Sequence, residues 1–312
     1  MHFISSGNIS ILCLLMHVKK DIKLACALAG TLILWGSAFP AIRATLNSYS
    51  PGHLALLRLS IAAVTLLVFG IIRGMRLPAW RDLPGIATLG ITGISLYHLG
   101  LNYGEVTVSA GAAGFIIGST PIWATLFSVI LLRERPGLLV WLGIIISFGG
   151  IALISISENG SGTEAASAGI MSSGAVCVLL AAVAGGLYCT LQKPLLQKYT
   201  ALELTAYSML IGALLLTWYI PGLAGVIRRA PLEATLSIVY LGVFPAACAY
   251  VAWAYILSQM TVSRATSFLY IIPVVAVLLG WVWLKEIPTA LSLAGGVVAL
   301  AGVVIVNRFK DF

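Results

Sequence analysis

Charge is scarce in this 312-residue chain: Asp, Glu, Lys and Arg together make up 9% of it, where a soluble domain carries roughly a quarter. So few charges cannot cover a surface facing water. The chain is instead 60% hydrophobic, with a mean hydropathy of +1.04. Its apolar residues run in blocks of the ~20 residues that cross a hydrocarbon core as a helix. A soluble fold is excluded, and an all-α polytopic membrane protein is expected. Acids are scarcer still, ten in all, with none at mid-membrane depth. No carboxylate pair, HExxH or GxSxG elbow stands inside a span, which argues against an intramembrane enzyme. The absence of a Walker A motif excludes ATP-driven transport by this chain alone. The five cysteines show no CxxC or Cys/His spacing, and four lie in apolar segments; they read as small packing residues, with no metal or cofactor implied. A channel would want a more continuous polar lining.

The net charge of +8 is not a sign of nucleic-acid binding, because excess Lys and Arg gather in the cytoplasmic loops of membrane proteins. The expected partners are the lipid bilayer and a small-molecule substrate, with no nucleic acid, and the chain is read as a monomer or weak homodimer. Residues 1–21 hold only a ten-residue apolar run, "ISILCLLMHV", too short for a span. They are read as a surface-lying or disordered segment, with Met16 the preferred initiator. Breaks at Gly, Pro, Asn and charged clusters then divide the chain into ten spans, near 22–45, 52–72, 83–104, 108–132, 137–157, 172–194, 202–220, 233–257, 261–284 and 289–307. The polar stretch "SENGSGTEAAS" separates five from five. This gives a first five-helix repeat over 22–157, an extracytoplasmic linker over 158–171 and a second repeat over 172–308.

The halves resemble each other. "FIIGSTPIWATLFSVILLRERP" (115–136) returns 152 residues later as "SFLYIIPVVAVLLGWVWLKEIP" (267–288). At this shift Tyr103 meets Tyr255, Pro121 meets Pro273, Glu134 meets Glu286, Gly143 meets Gly295 and Gly150 meets Gly302. Two halves of an odd number of spans must lie in opposite orientations, which is the inverted repeat of many secondary transporters. With the N-terminus inside, thirteen Lys and Arg fall inside and five outside, so both termini are expected in the cytoplasm.

Pro121 and Pro273 each remove a hydrogen bond in mid-span and should kink their helices beside a central cavity. Glu134 and Glu286 precede helix-starting prolines, and a cap on the positive end of the next span is preferred over a functional carboxylate. "GLNYG" and "GFIIG" are small-xxx-small patterns that let helices approach closely. Together with "LILWGSAFPAIR", "LLRERP" and "WLKEIP", the arrangement over residues 22–308 resembles the EamA-type members of the drug/metabolite transporter superfamily. That resemblance implies a central pocket walled by spans 1, 3, 4, 6, 8 and 9, and the export of amino acids or related metabolites.

Thr88, Ile91, Ser95, His98, Asn102 and Glu105 follow at steps of 3, 4, 3, 4 and 3, which places them on one face of an α-helix. That face should turn from lipid towards protein or a water-filled cavity. His98 stands as a buried neutral histidine, a substrate contact or a proton carrier. Ser95 and Asn102 are further substrate-binding candidates. The shift of 152 puts Tyr250 where His98 is and Ala254 where Asn102 is. Trp35, Phe115, Trp253 and Tyr270 are candidates for the aromatic walls. Glu105 reads as a solvated carboxylate near the outer end. Arg43 and Arg58 read as side chains that snorkel to the interface rather than bind anions.

The expectation is a secondary transporter of small amphipathic metabolites, working by alternating access in the plasma membrane. A proton-coupled antiporter of drugs or amines is the alternative, and the lack of buried acids tilts the reading towards a facilitator. Reporter fusions test the topology: a fusion at residue 160 should report the extracytoplasmic side and both terminal fusions the cytoplasm. A cytoplasmic residue 160 would overturn the inverted arrangement.

Overall fold

The computed structural model describes residues 22–108, 110–159, 173–279 and 289–308, and no strand occurs among them. The helices, named for their order in the chain, are α1 (Ile22–Leu46), α2 (Pro51–Ile72) and α3, whose consecutive segments are Leu83–Leu89, Gly90–Leu96 and Tyr97–Thr107. α4 comprises Ala110–Ile117, Thr120–Phe127 and Ser128–Leu132. α5 is Leu138–Asn159 and α6 is Ser173–Leu195. α7 (Ala201–Tyr219) and α8 (Leu232–Gln259) flank a short helix, Leu223–Arg229. α9 comprises Val262–Ser267, Phe268–Ile271 and Ile272–Leu279, and α10 is Ala290–Arg308. Six helices (α1, α2, α4, α6, α7 and α8) are long and apolar enough to cross a membrane, and α5, α9 and α10 contain shorter apolar stretches. The chain is thus a polytopic helical membrane protein. Among the described residues, helix ends fall within a turn of the breaks read from the sequence. Residues 1–21, the core of the linker, and Glu286 lie outside the described residues.

Local sequence explains the helix starts. Ser50 caps α2 by accepting from the His53 amide, with Pro51 at the first turn, where a missing N–H costs nothing. Thr200 and Glu203 form a capping box at α7, satisfying two orphan donors reciprocally. Glu203 also accepts from the Arg76 amide, and Lys198 pairs with Asp82 at 2.7 Å. These contacts tie the loop after α2 to the loop before α7. Lys198 and the Tyr199 hydroxyl hold the Asp82 carboxyl below its usual range.

Both mid-span prolines stand where a helix is interrupted. Pro121 follows a break at Gly118–Ser119, and Pro273 follows the tight 3-10 turn Phe268–Ile271. Glu134 does cap a helix, but not the expected one. Arg133 is left-handed (φ 56°) and swings the chain so that Glu134 Oε1 accepts from the Val262 amide (3.1 Å) and Oε2 from the Ser263 hydroxyl (3.2 Å). The carboxylate therefore closes the start of α9, not of α5.

Two features not expected from the sequence sit 152 residues apart. Gly90–Leu96 in α3 and Gly242–Cys248 in α8 are both π-helical turns. Pro245 lies inside the second, where its ring and missing N–H do not suit a regular α-turn. The first turn breaks the phase of the polar stripe. Ile91 ends up 42% exposed, while Ser95, His98, Asn102 and Glu105 are buried. Thr88 is only half-buried and donates to its own helix at Pro84. The stripe is therefore one face only from Ser95 onwards.

α5 and α10 pack along their lengths through glycines. A Cβ on Gly143 would stand 2.8 Å from the Gly302 carbonyl, and one on Gly150 would stand 2.6 Å from the Gly295 carbonyl and press on the Ala299 amide. The Ser147 hydroxyl donates to Ala299 (3.0 Å) between them. "GLNYG" behaves likewise: Gly100 and Gly104 abut Cys177, Val178 and Gly174 of α6. In "GFIIG", Gly114 meets no neighbour within 4 Å and only Gly118 is crowded, partly by Ile151. Gly150→Ala should lower stability by ~1–3 kcal/mol through overpacking. Gly149→Ala, whose Cβ meets nothing within 4 Å, should leave stability unchanged or slightly higher. Thermal denaturation in detergent followed by size exclusion reads the difference.

Candidate functional site

The centre of the helix bundle is built around His98 of α3 and Tyr250 of α8. His98 is 1% and Tyr250 5% exposed, and His98 Nε2 lies 3.2 Å from the Tyr250 hydroxyl. These are the two residues that the shift of 152 superposes, so each touches its own counterpart. The Tyr250 hydroxyl also lies 3.4 Å from the carbonyl of Gly93, inside the first π turn. That carbonyl can only accept. When the hydroxyl donates to it, Nε2–H donates to the hydroxyl oxygen, and Nδ1 is left as a free acceptor. Nδ1 is buried and has no protein partner.

Aromatic rings enclose this pair. Trp35 of α1 meets Tyr250 edge-on at 5.4 Å and Trp253 at 5.3 Å. Its Nε1 donates to the Pro245 carbonyl at 3.0 Å, in the second π turn. Tyr97 stands perpendicular to His98 at 5.3 Å, and Tyr188 of α6 lies 5.9 Å from Tyr250. The π turns of α3 and α8 thus each offer one backbone carbonyl to an aromatic side chain of the site. Tyr188 fits against Gly93, where any larger residue would displace it.

Of the residues expected to form the site, the structure brings together His98, Tyr250, Trp35 and Trp253. Phe115 and Tyr270 lie elsewhere, with α5 and α10: Phe115 stacks on Phe148 at 5.0 Å, and both belong to a separate apolar cluster with Val140, Ile144 and Val303. Ser95 is committed to packing, since its hydroxyl donates to Gly212 of α7 (2.9 Å) and reaches Gly90 (3.2 Å). Asn102 does two things. Its Nδ2 donates to the Pro51 carbonyl (3.1 Å), tying α3 to the start of α2, while its Oδ1 has no protein partner.

Two charged residues do not lie where the sequence suggested. Arg58 is 3% exposed and does not snorkel. It lies seven residues into α2, about 10 Å from the end at 1.5 Å per residue, and α8 closes over it: Gly242 fits against the Arg58 carbonyl. Glu105 is 4% exposed rather than solvated. Arg58 is within electrostatic reach of Tyr97, His98, Glu105 and Tyr250, and Glu105 also senses Arg43. A signal for both was present. Arg58 is the one formal charge in Pro51–Ile72, and Glu105 continues the stripe one turn past Asn102.

These features describe a helical membrane protein closed round a buried centre that is aromatic on one side and polar on the other. Comparison places it more closely. The profile of the EamA-like transporter family matches residues 22–156 and again 172–308; the chain belongs to that family. It is 40% identical to the uncharacterized transporter YdfC of Bacillus subtilis, over 91% of each chain. It is 39% identical to a probable terminal-alkyne amino-acid exporter of Streptantibioticus cattleyicolor, over 92% of this chain and 94% of that one. A crystal structure of 19% identity shares the fold, with a TM-score of 0.72 over 91% of this chain and 96% of the other. Ser95→Ala should lower stability by ~1 kcal/mol through loss of the bond to Gly212, with transport within about twofold of wild type; thermal denaturation and proteoliposome flux, measured side by side, check both.

Proposed function

We propose that the chain is a secondary transporter that moves small amphipathic metabolites, amino acids or close relatives, out of the cell by alternating access around His98 and Tyr250. The observation that carries this is the His98–Tyr250 contact. It joins α3 to α8 at a buried centre, at counterpart positions of the two family matches. The reading takes the two matches as inverted five-span repeats in the plasma membrane, with both termini in the cytoplasm. The paired π turns, the symmetric glycine contacts of α5 with α10 and the positive-inside count support it. In such an arrangement, rocking one half against the other exposes the centre to each side in turn. The interruptions before Pro121 and Pro273 supply flexible points in α4 and α9. Glu134, gripping the start of α9 from the end of α4, is a contact that must break for one end to open. Amino-acid cargo is supported by the name of the Streptantibioticus relative and by the mixed aromatic and polar lining.

The purified protein in liposomes tests this. Counterflow of labelled amino acids should proceed with no imposed pH difference. His98→Ala, Asn102→Ala and Tyr250→Ala should each slow it at least ~10-fold while still inserting into the membrane. Normal transport by all three variants would remove the site from the centre. Uphill accumulation driven by a proton gradient and lost in His98→Gln would replace the facilitator with a proton-coupled carrier.

A further inference from the structure

Ionisable side chains inside a membrane protein are expensive and are usually paired. Here a guanidinium and a carboxylate are both buried in one bundle and are not paired. Nε and Nη1 of Arg58 and both carboxylate oxygens of Glu105 are buried without a hydrogen-bond partner. Their helices are tied together where Asn102 Nδ2 donates to the Pro51 carbonyl, yet no nitrogen–oxygen approach within 4.0 Å joins the two side chains; Lys198–Asp82 is the ion pair among the described residues. The same face of α3 as Glu105 carries two more atoms without a partner, Asn102 Oδ1 and His98 Nδ1, the second an acceptor when Nε2 carries the proton. The cluster thus carries free donors on α2 and free acceptors on α3, with aromatic rings alongside.

The scaffold does not need this cluster. At the shift of 152, Glu105 corresponds to Leu257 and Asn102 to Ala254. At the shift of 150 that relates "SPGHLALL" to "TALELTAY", Arg58 corresponds to Ser208. All three counterparts are 0% exposed, so the same packing positions are filled there with no charge. Ser208 satisfies itself on its own helix, at Leu204 and Thr205.

We propose that Arg58 and Glu105 form the headgroup site of the transporter, a divided clamp whose guanidinium takes a carboxylate and whose carboxylate takes an ammonium group. This deepens the amino-acid reading above and rests on it. A zwitterion fits because it carries both charges on one carbon. It satisfies both orphaned groups at once, where an amine or a carboxylic acid alone leaves one of them buried and uncompensated. Guanidinium suits a carboxylate through two parallel N–H donors. Asn102 Oδ1 and His98 Nδ1 are additional acceptors for the ammonium, and the side chain of the substrate would lie against Trp35 and Tyr250. Specificity of this kind comes from the penalty on the wrong ligand.

Competition in proteoliposomes tests it, with counterflow of labelled L-phenylalanine and L-leucine as the signal. Phenethylamine and 3-phenylpropionate, which keep the ring and lose one charge, should compete with L-phenylalanine at least ~10-fold more weakly than unlabelled L-phenylalanine does. Arg58→Ser should weaken L-phenylalanine at least ~10-fold and bring it level with phenethylamine. Glu105→Leu should bring it level with 3-phenylpropionate. Arg43→Gln should leave the preference unchanged. Should a variant fail to insert, Arg58→Lys and Glu105→Gln serve in its place, and the wild-type competition stands alone. Equal competition by all three ligands, or inserted variants that keep the wild-type preference, overturns the clamp and leaves amino-acid transport intact. Absence of any amino-acid counterflow overturns the transport reading, and the clamp with it.

Discussion

Lipid offers no hydrogen bonds, and the fold follows from that constraint. Every backbone N–H and C=O in the hydrocarbon must find a partner inside the protein, which makes the apolar stretches of the described residues helical. Departures from the α-helix are then permitted only where a side chain can answer for them. The π turns of α3 and α8 meet this condition: the Gly93 carbonyl faces the Tyr250 hydroxyl, and the Pro245 carbonyl receives Trp35 Nε1. Several polar residues elsewhere in the bundle obey the same rule. Ser147 and Thr190 donate to carbonyls of neighbouring helices, and Lys193 donates to the carbonyls of Leu257 and Met260 at the end of α8. These bonds hold together helices that gain little from burying apolar surface against one another rather than against lipid.

The constraint also explains what the sequence could tell. Helix boundaries were legible because apolar runs end at Ser50–Pro51, Thr200 and the glycine and charge clusters, each with its own local chemistry. The correspondence of His98 with Tyr250 was legible from the shift of 152; that the two side chains touch, at 3.2 Å, was not. The stripe was only half legible: its arithmetic assumed 3.6 residues per turn, and the π turn at Gly90–Leu96 rotates Thr88 and Ile91 off the face that Ser95 to Glu105 share. No residue in that stretch announces a π turn, although Pro245 at the matching place in α8 does so after the fact. Phe115 and Tyr270 were misplaced because an aromatic residue beside a kink looks the same in sequence whether it faces the centre or the α5–α10 pair. Glu134 reads as a cap in either case; the left-handed turn at Arg133 decides which helix receives it.

Arg58 shows a different limit. A long cation a few residues inside a span normally reaches the interface, and that average rule was applied to a residue whose surroundings defeat it. The side chain is buried, and Gly242 lets α8 sit directly on the Arg58 carbonyl. A larger residue at 242 would hold α8 off the α2 backbone. The small residue and the buried cation therefore belong to one arrangement, although they lie far apart in the sequence.

Two halves that share packing positions but not polar groups give a way to separate structure from chemistry within a single chain. Where counterparts keep the same residue, as at Gly143 and Gly295 or Pro121 and Pro273, the position answers to the fold. Where one half carries a charge and the other an apolar or small residue in the same buried place, folding is satisfied without the charge. Glu105 and Leu257, and Arg58 and Ser208, divide in this way. His98 and Tyr250 are the intermediate case, both polar and in contact, so that one hydrogen bond serves both halves. The unpaired charged groups of the centre, Arg58 and Glu105, thus lie on α2 and α3, while α8 contributes the Tyr250 hydroxyl, the unpartnered Trp253 Nε1 and ring surface. A substrate bound there would meet charge from one half and apolar surface from the other. In the proposed rocking of the halves it would touch both, and an amphipathic molecule would thereby be coupled to the motion.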